Sequence, residues 1–290
     1  MEDGATALVE AVSPWDGTYA QKVSFEVGGY GAATSGGYSL AFRGTSWRQT
    51  SNCRFVLRND TSFGNVGGSG QTGMFTRSIT EQNGHTLVLR GNSIDYNFRF
   101  REYHTFRSPG PIYVTNATVS ASYANSIGWS CPDGKPPLIS FGSGSRFMPD
   151  TQAFCDVFEL YEFAQGTIFT CSSNNTLRVA NLKGPPTVNL NVTLTLSSNY
   201  VARASDLLAD KHITAKNTLI FASNCTADVE NAESLPFTNA GYVLATSDVA
   251  IDGRPKKSAN LVLAGWTVSV SGDSKTLKLI PSSGTTIFFR

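Results

Sequence analysis

Apolar and polar residues alternate in many short segments of this chain. A clear case is PTVNLNVTLTLSSNY at residues 186–200, where every second residue from Val188 to Leu196 is apolar. Asn, Thr and Ser fill the positions between them. A period of two predicts a β-strand with one buried face. The other face carries short uncharged groups that cost little to desolvate once their hydrogen bonds are met, so we interpret it as suited to contact with another surface.

The same alternation recurs in YNFRFREY, HTLVLRG, TVSASY, WTVSVSG and TLKLI. Turn dipeptides separate such segments, for example Asn83-Gly84 and Asp252-Gly253. Asn, Asp and Gly are typical of the tight turns that join antiparallel strands. We therefore predict one hairpin in RSITEQNGHTLVLR around Asn83-Gly84 and another in WTVSVSGDSKTLKLI around residues 272–274.

Helical patterns are scarce. SDLLADKH at residues 205–212 predicts one short helix, with Ser205 as its N-cap and Asp206 in its first turn. DTQAFCDVFELYEF at residues 150–163 fits either element, because its apolar spacing is helical while its surroundings favour a strand. No repeat with a period of 20–50 residues is visible in the sequence.

Composition supports a strand-rich chain. Charged residues make up 16 % of the 290 residues, well below the usual quarter. Gly, Ser, Thr and Asn take their place, as in β proteins with many turns. We therefore predict an all-β fold of two β-sandwich-like domains, jelly-roll or immunoglobulin-like, with at most one or two short helices.

A domain boundary is predicted at LKGPPTV, because Gly184, Pro185 and Pro186 resist both helix and central strand. Composition also shifts there: residues 1–183 hold 11 Arg and 3 Lys, whereas residues 184–290 hold 3 Arg and 6 Lys. We expect an aromatic- and Arg-rich β domain at residues 1–183 and an immunoglobulin-like sandwich at residues 187–290. One continuous sandwich is the alternative.

Charge and hydropathy exclude two classes of partner. The net charge of +1 lacks the basic excess of a nucleic-acid-binding protein. No apolar run approaches the length of a membrane span.

The N-terminal segment has neither the basic nor the apolar region of a signal peptide. We expect either a protein used without export, as virion proteins are, or an extracellular protein whose signal was removed.

No two of the five cysteines have C-x-x-C spacing, so we predict no zinc site and no other metal site. In a secreted chain, Cys155 and Cys171 would be the first candidates for a disulfide. The alternative is five reduced, buried thiols that act as small apolar side chains.

No pattern predicts a catalytic or cofactor site. His85, His104 and His212 lie in three separate segments. The glycines of GGSGQTG match the spacing of a dinucleotide-binding loop, but neither a buried strand before it nor a helix after it is indicated. We expect no enzyme and no cofactor.

The remaining candidates form a contact surface. Aromatic residues lie in loops rich in Gly, Ser and Asn, a composition typical of recognition surfaces. Arginines on one face of YNFRFREY add side chains that are favoured at interfaces, and Arg90 and Arg107 would extend them into a ladder. The predicted contact residues are Tyr30, Tyr38, Trp47, Arg48, Arg99, Arg101 and Trp129.

These features favour a non-enzymatic protein that acts by contact. The first hypothesis is a virion structural or attachment subunit of a capsid, tail or receptor-binding assembly. It would form homo-oligomers or contact other virion subunits, and bind a cell-surface glycan or protein receptor. The alternative is a secreted or surface adhesin or lectin that binds host glycans through the aromatic, Gly-rich loops of the first domain. A hydrolase on a β-sandwich is a third option.

Overall fold

The computed structural model describes residues 7–10, 24–29, 40–43, 48–51, 53–65, 72–76, 78–101, 104–121, 129–130 and 138–282. The chain divides into two compact units, Met1–Tyr161 and Glu162–Arg290, called unit 1 and unit 2 below. The Gly-Pro-Pro segment at residues 184–186 lies inside unit 2, and a domain boundary there stays a prediction. No helix in the described ranges is long and apolar enough to cross a membrane.

Unit 1 consists mainly of short strands. They are β1 Ala7–Glu10, β2 Ser24–Gly29, β3 Leu40–Arg43, β4 Arg48–Ser51, β5 Arg54–Asn65, β6 Thr72–Thr76, β7 Ile79–Glu81, β8 Leu87–Arg90, β9 Asn97–Arg101, β10 His104–Arg107, β11 Ile112–Thr115, β12 Thr118–Ala121, β13 Trp129–Ser130, β14 Leu138–Phe141 and β15 Arg146–Pro149. Helix α1 follows at Gln152–Cys155, and the division between the units falls within β16 Leu160–Phe163.

The strands of unit 1 pair in parallel, one coil of chain above the next. Thr61 of β5 lies beside Leu87 of β8, which lies beside Ile112 of β11, which lies beside Ile139 of β14. These strands belong to one sheet, sheet A, while β4, β6, β9, β12 and β15 belong to a second, sheet B. The chain passes from one sheet to the other and returns about every 25 residues, which is the arrangement of a parallel β-helix.

Unit 2 repeats this arrangement. Its strands are β17 Ile168–Phe169, β18 Asn175–Lys183, β19 Thr187–Val188, β20 Val192–Arg203, β21 Ile213–Ala215, β22 Leu219–Phe221, β23 Thr226–Glu230, β24 Tyr242–Ser247, β25 Ile251–Asp252, β26 Lys256–Lys257, β27 Trp266–Val270 and β28 Thr276–Pro281. Helices α2 Ala204–Leu208 and α3 Ala259–Leu263 and a 3₁₀ turn at Ala232–Ser234 connect them.

In unit 2, sheet A stacks β18, β20, the pair β22 and β23, and then the pair β25 and β26, all in parallel. Sheet B stacks β17, β19, β21 and β24, also in parallel. An antiparallel hairpin of β27 and β28 closes this end, because β28 pairs with β24. The hairpin covers the edge of β24, which would otherwise expose unpaired backbone groups.

The prediction of two jelly-roll or immunoglobulin-like sandwiches is wrong. Such sandwiches are built of antiparallel strands, whereas sheet A consists of parallel strands, as in α/β proteins. In this chain strands of sheet B and turns replace the crossover helices. The reason for the error is that parallel and antiparallel strands show the same period of two, so the pattern does not reveal the pairing partner. The described residues also contain three short helices rather than one or two.

One of the two predicted hairpins is confirmed. β27 and β28 pair antiparallel on either side of residues 272–274. At Asn83-Gly84 the tight turn is present, with φ of 51° and 76°, but the hairpin is wrong. β7 pairs in parallel with β5 and β10, and β8 pairs in parallel with β5 and β11. The turn bends the chain within one coil instead of reversing it.

Three local expectations are corrected in detail. The segment 186–200 is not one strand, because β19 ends at Val188 and β20 begins at Val192. The predicted helix is confirmed as α2, but its N-cap is Arg203 and not Ser205. The ambiguous segment at 150–163 contains both elements, with α1 first and β16 afterwards.

Aromatic rings fill the core of unit 1. Tyr96, Phe98 and Phe100 are all buried, which confirms the inward face predicted for YNFRFREY. Phe75 and Phe100 are register partners on β6 and β9, and their rings stack at 4.8 Å and 12°. This distance matches the spacing of neighbouring strands, so rings at one position of successive coils meet face to face.

The cysteines of the described residues form no disulfide. Cys53, Cys155, Cys171 and Cys225 are buried and unbridged, so the proposed Cys155–Cys171 disulfide is wrong. Cys131 lies outside the described residues. The four thiols act as small core side chains, and burial raises the pKa of Cys225 to about 11.

Candidate functional site

Most of the predicted contact residues lie outside the part of the chain whose side chains are described. Tyr30, Tyr38 and Trp47 lie wholly outside it. Arg48, Arg101 and Trp129 lie on β4, β9 and β13, but their side chains are outside it too. Arg99 is half-buried on β9, between the core residues Phe98 and Phe100.

The arginine ladder does not form as predicted. Arg99 lies on a strand of sheet B, whereas Arg90 and Arg107 lie at the ends of β8 and β10 in sheet A. The structure therefore does not bring Arg90 and Arg107 onto the strand face that carries Arg99.

A different group of residues forms a concave surface in unit 2, where the chain turns from sheet B into sheet A. This surface, the polar cavity, has a volume of about 370 Å³. It is lined by Asn174, Asn189, Leu190, Asn191 and Lys216. Leu190 is 69 % exposed although it continues the apolar alternation, because it occupies the turn between β19 and β20.

Asparagine side chains fix the walls of the polar cavity by bonding to the preceding coil. Asn191 Nδ2 donates to the carbonyl of Cys171, and Asn191 Oδ1 accepts from Thr170 Oγ1 at 3.0 Å. One coil later, Asn217 Nδ2 donates to the carbonyl of Leu190 at 2.9 Å. The two bonds from Nδ2 each satisfy a backbone carbonyl of a turn in the preceding coil, so they help to keep the turns in register.

Other polar groups of the polar cavity make only weak interactions within the protein. Asn174 is exposed, and Asn189 Nδ2 makes a long bond of 3.4 Å to Thr170 Oγ1. Lys216 Nζ lies 3.3 Å from Asp248 Oδ2, with both side chains about half-exposed, so water screens this ion pair. These amides and the ammonium can hydrogen-bond a polar ligand, while Leu190 offers it an apolar surface.

The stacking of coils also explains why many strand positions of unit 2 carry Thr or Asn. Thr187, Thr214 and Thr246 are register partners on successive strands of sheet B. In sheet A, Asn199 Nδ2 donates to Asn181 Oδ1 of the neighbouring strand at 2.8 Å. Like charges at such positions would repel each other, whereas a Thr or Asn side chain can hydrogen-bond to the same residue type on the neighbouring strand. The uncharged face of β20 therefore has a cause within the fold.

Five charged residues of unit 2 form a paired network. Lys183 Nζ lies 2.9 Å from Glu230 and 3.8 Å from Glu162. Arg203 pairs with Glu162 and, at 3.2 Å, with Asp206. The network ties β16, β18, β20 and β23 together by charge-assisted bonds. Because each of these carboxylates is already paired with a cation, we interpret the network as a connection between coils.

The three histidines have different surroundings. His104 is fully buried, and His104 Nε2 lies 3.2 Å from Thr80 Oγ1. His85 and His212 lie 3.9 and 3.7 Å from surface aspartates, Asp60 and Asp210. Within the described ranges no group of three His, Cys, Asp or Glu side chains could hold a metal ion.

Sequence analysis missed the polar cavity, although a signal for it exists. Asn189 and Asn191 flank Leu190 in a run that alternates perfectly, so the turn is hidden in the pattern. Asn is a common turn residue, and a second pair, Asn174 and Asn175, lies where β18 begins.

Comparison with known proteins gives no match: no family model, no curated protein and no solved structure matches this chain.

Proposed function

We propose that this chain is a non-enzymatic attachment protein that binds a cell-surface glycan at the polar cavity of unit 2. A virion subunit is the first setting for this role, and a secreted or surface adhesin is the alternative. The observation that supports the proposal is the cavity itself, which combines amide groups, an ammonium and an exposed leucine on walls fixed by inter-coil bonds.

The chemistry of the polar cavity suits a carbohydrate. A sugar presents hydroxyl groups that both donate and accept hydrogen bonds, and an amide side chain does the same. Its C–H faces need an apolar partner, which Leu190 provides. The volume of about 370 Å³ lies within the range of small-molecule sites. Because Asn191 and Asn217 already fix the turns, binding would order few additional groups.

The test is glycan binding by variants of the polar cavity. We expect Asn174→Ala and Lys216→Gln each to weaken binding of the best glycan from an array by about tenfold, which equals about 1.4 kcal/mol. Asn224→Ala is the matched control, since Asn224 is an exposed asparagine in a turn outside the cavity. Absence of any glycan ligand, or equal affinity of Asn174→Ala and the unmodified protein, would contradict the proposal.

The second part of the proposal is that copies of the chain assemble into a homo-oligomer. Helix α3 leaves Val262 and Leu263 exposed by 51 % and 88 %. Phe237, also exposed, stacks at 4.7 Å on Trp266, the first residue of the strand that follows α3. A second copy is the occupant that we propose for this apolar surface, because a net charge of +1 produces little repulsion between copies.

A further inference from the structure

A second concave surface of unit 2 lies where β26 approaches the terminal hairpin. We call it the basic cavity. It has a volume of about 370 Å³ and is lined by Arg254, Pro255, Lys256, Lys257, Thr267 and Val268. Half of these residues are cations, and no carboxylate is among them.

The cations of the basic cavity have no acidic partner in the described residues. Arg254, Lys256 and Lys257 are all exposed, and none of them takes part in the ion pairs of unit 2. Two acids of the neighbouring strand β23 are occupied elsewhere. Asp228 Oδ1 accepts from Ser258 Oγ at 2.6 Å and from Asn260 Nδ2 at 3.1 Å, and Glu230 pairs with Lys183.

Strand pairing places the backbone of the two lysines, and one hydrogen bond places the guanidinium of Arg254. Lys256 and Lys257 are register partners of Thr226 and Ala227 in the last described coil of sheet A. Arg254 Nη2 donates to the carbonyl of Val268 on β27, which fixes its guanidinium against the hairpin. Because a guanidinium has five donors, this bond leaves most of them free for a ligand.

The geometry points to a binding site for a sulfated glycan in the basic cavity. Three positive charges around one concave surface attract a ligand with several anionic groups close together, and the planar fork of Arg254 suits an oxyanion. A single-stranded nucleic acid fits less well, because no aromatic side chain lines the cavity for base stacking. This site shares no residue with the polar cavity and does not depend on the function proposed for it.

The test is fluorescence anisotropy of the full chain with a labelled, fully sulfated heparin hexasaccharide. We expect saturable binding that weakens with added salt, since ion pairs form on association. The variant Lys256→Gln/Lys257→Gln should bind about tenfold more weakly or worse. The control Lys211→Gln/Lys275→Gln removes the same charge outside the cavity and should bind like the unmodified protein. Circular dichroism checks that both variants fold.

Three results would overturn the inference. The first is no saturable binding by the unmodified protein, and the second is equal loss in the control variant. The third is equal affinity for a desulfated, N-acetylated hexasaccharide or for a single-stranded DNA oligonucleotide. The variant Asn174→Ala should bind the sulfated probe normally, so failure at one cavity is distinguishable from failure at the other.

Discussion

At the scale of a single residue, His104 shows how the position of a side chain in a coil determines whether it is charged. Its ring lies 5.8, 4.9 and 4.8 Å from the rings of Phe75, Phe100 and Phe106, and it is fully buried. Burial disfavours the charged form and lowers the pKa of His104 from 6.5 to about 3. His104 is therefore a neutral core ring at neutral pH, with Thr80 as its hydrogen-bond partner.

A pH dependence of stability follows from His104. In the unfolded chain its pKa returns to its ordinary value of 6.5, so below that pH only the unfolded state takes up the proton. The contribution is fully present above pH 6.5 and is lost as the pH falls towards about 3. We expect a loss of about 2 kcal/mol in unfolding free energy between pH 7 and pH 5.

Urea unfolding at the two pH values measures this loss. His104→Phe should lack it, because phenylalanine has no proton to gain. His85→Gln, a change at a partly exposed histidine, should keep it. If His104→Phe and the unmodified protein lose the same stability on acidification, the assignment to His104 is wrong.

At the scale of an element, the turns determine whether successive coils stack. Gly253 directly follows the short strand β25 and has a φ of +76°, and a Cβ added there would lie 2.1 Å from the carbonyl oxygen of Phe221 in the preceding coil. Gly84 has the same φ of +76°, but a Cβ there would meet nothing within 4 Å. A comparison of substitutions at the two glycines therefore separates the cost of backbone strain from the cost of steric contact between coils.

We expect alanine to affect the two turns differently. Gly84→Ala should cost about 1 kcal/mol of unfolding free energy, from the left-handed backbone alone. Gly253→Ala should cost about 3 kcal/mol, because the carbonyl of Phe221 must also move. Chemical denaturation of both variants measures the difference, and equal costs would show that contact between coils at Gly253 carries no additional energy.

At the scale of the whole molecule, self-association is the property to test. Leu263 on α3 and Leu208 on α2 are both exposed leucines on short helices of unit 2. We expect light scattering to show an oligomer for the unmodified protein and for Leu208→Lys, and a monomer for Leu263→Lys. A strict monomer at high concentration, or no effect of Leu263→Lys, would contradict assembly through this surface.

Prediction from sequence succeeded where the cause is local. The buried positions Val192, Leu194 and Leu196 follow from alternation along one strand. The turn at Asn83-Gly84 follows from residues that tolerate positive φ. It failed where the cause is a partner far along the chain, as for the strands on either side of that turn. The alternation of apolar and polar residues does not depend on which strand pairs with the segment.

The amino-acid sequence by itself determined the inward face within each strand and the turn at Asn83-Gly84, because both depend on a few neighbouring residues. It also specified the terminal hairpin, since its two strands are joined by a short turn. Only the tertiary structure decided that other strands pair in parallel with the coil before and after. That choice aligns the asparagine turns of the polar cavity, and it brings Lys256 and Lys257 beside Thr267 of the hairpin. Hydrogen-bond partners between coils are selected by the packing of the whole stack, and no local pattern encodes them.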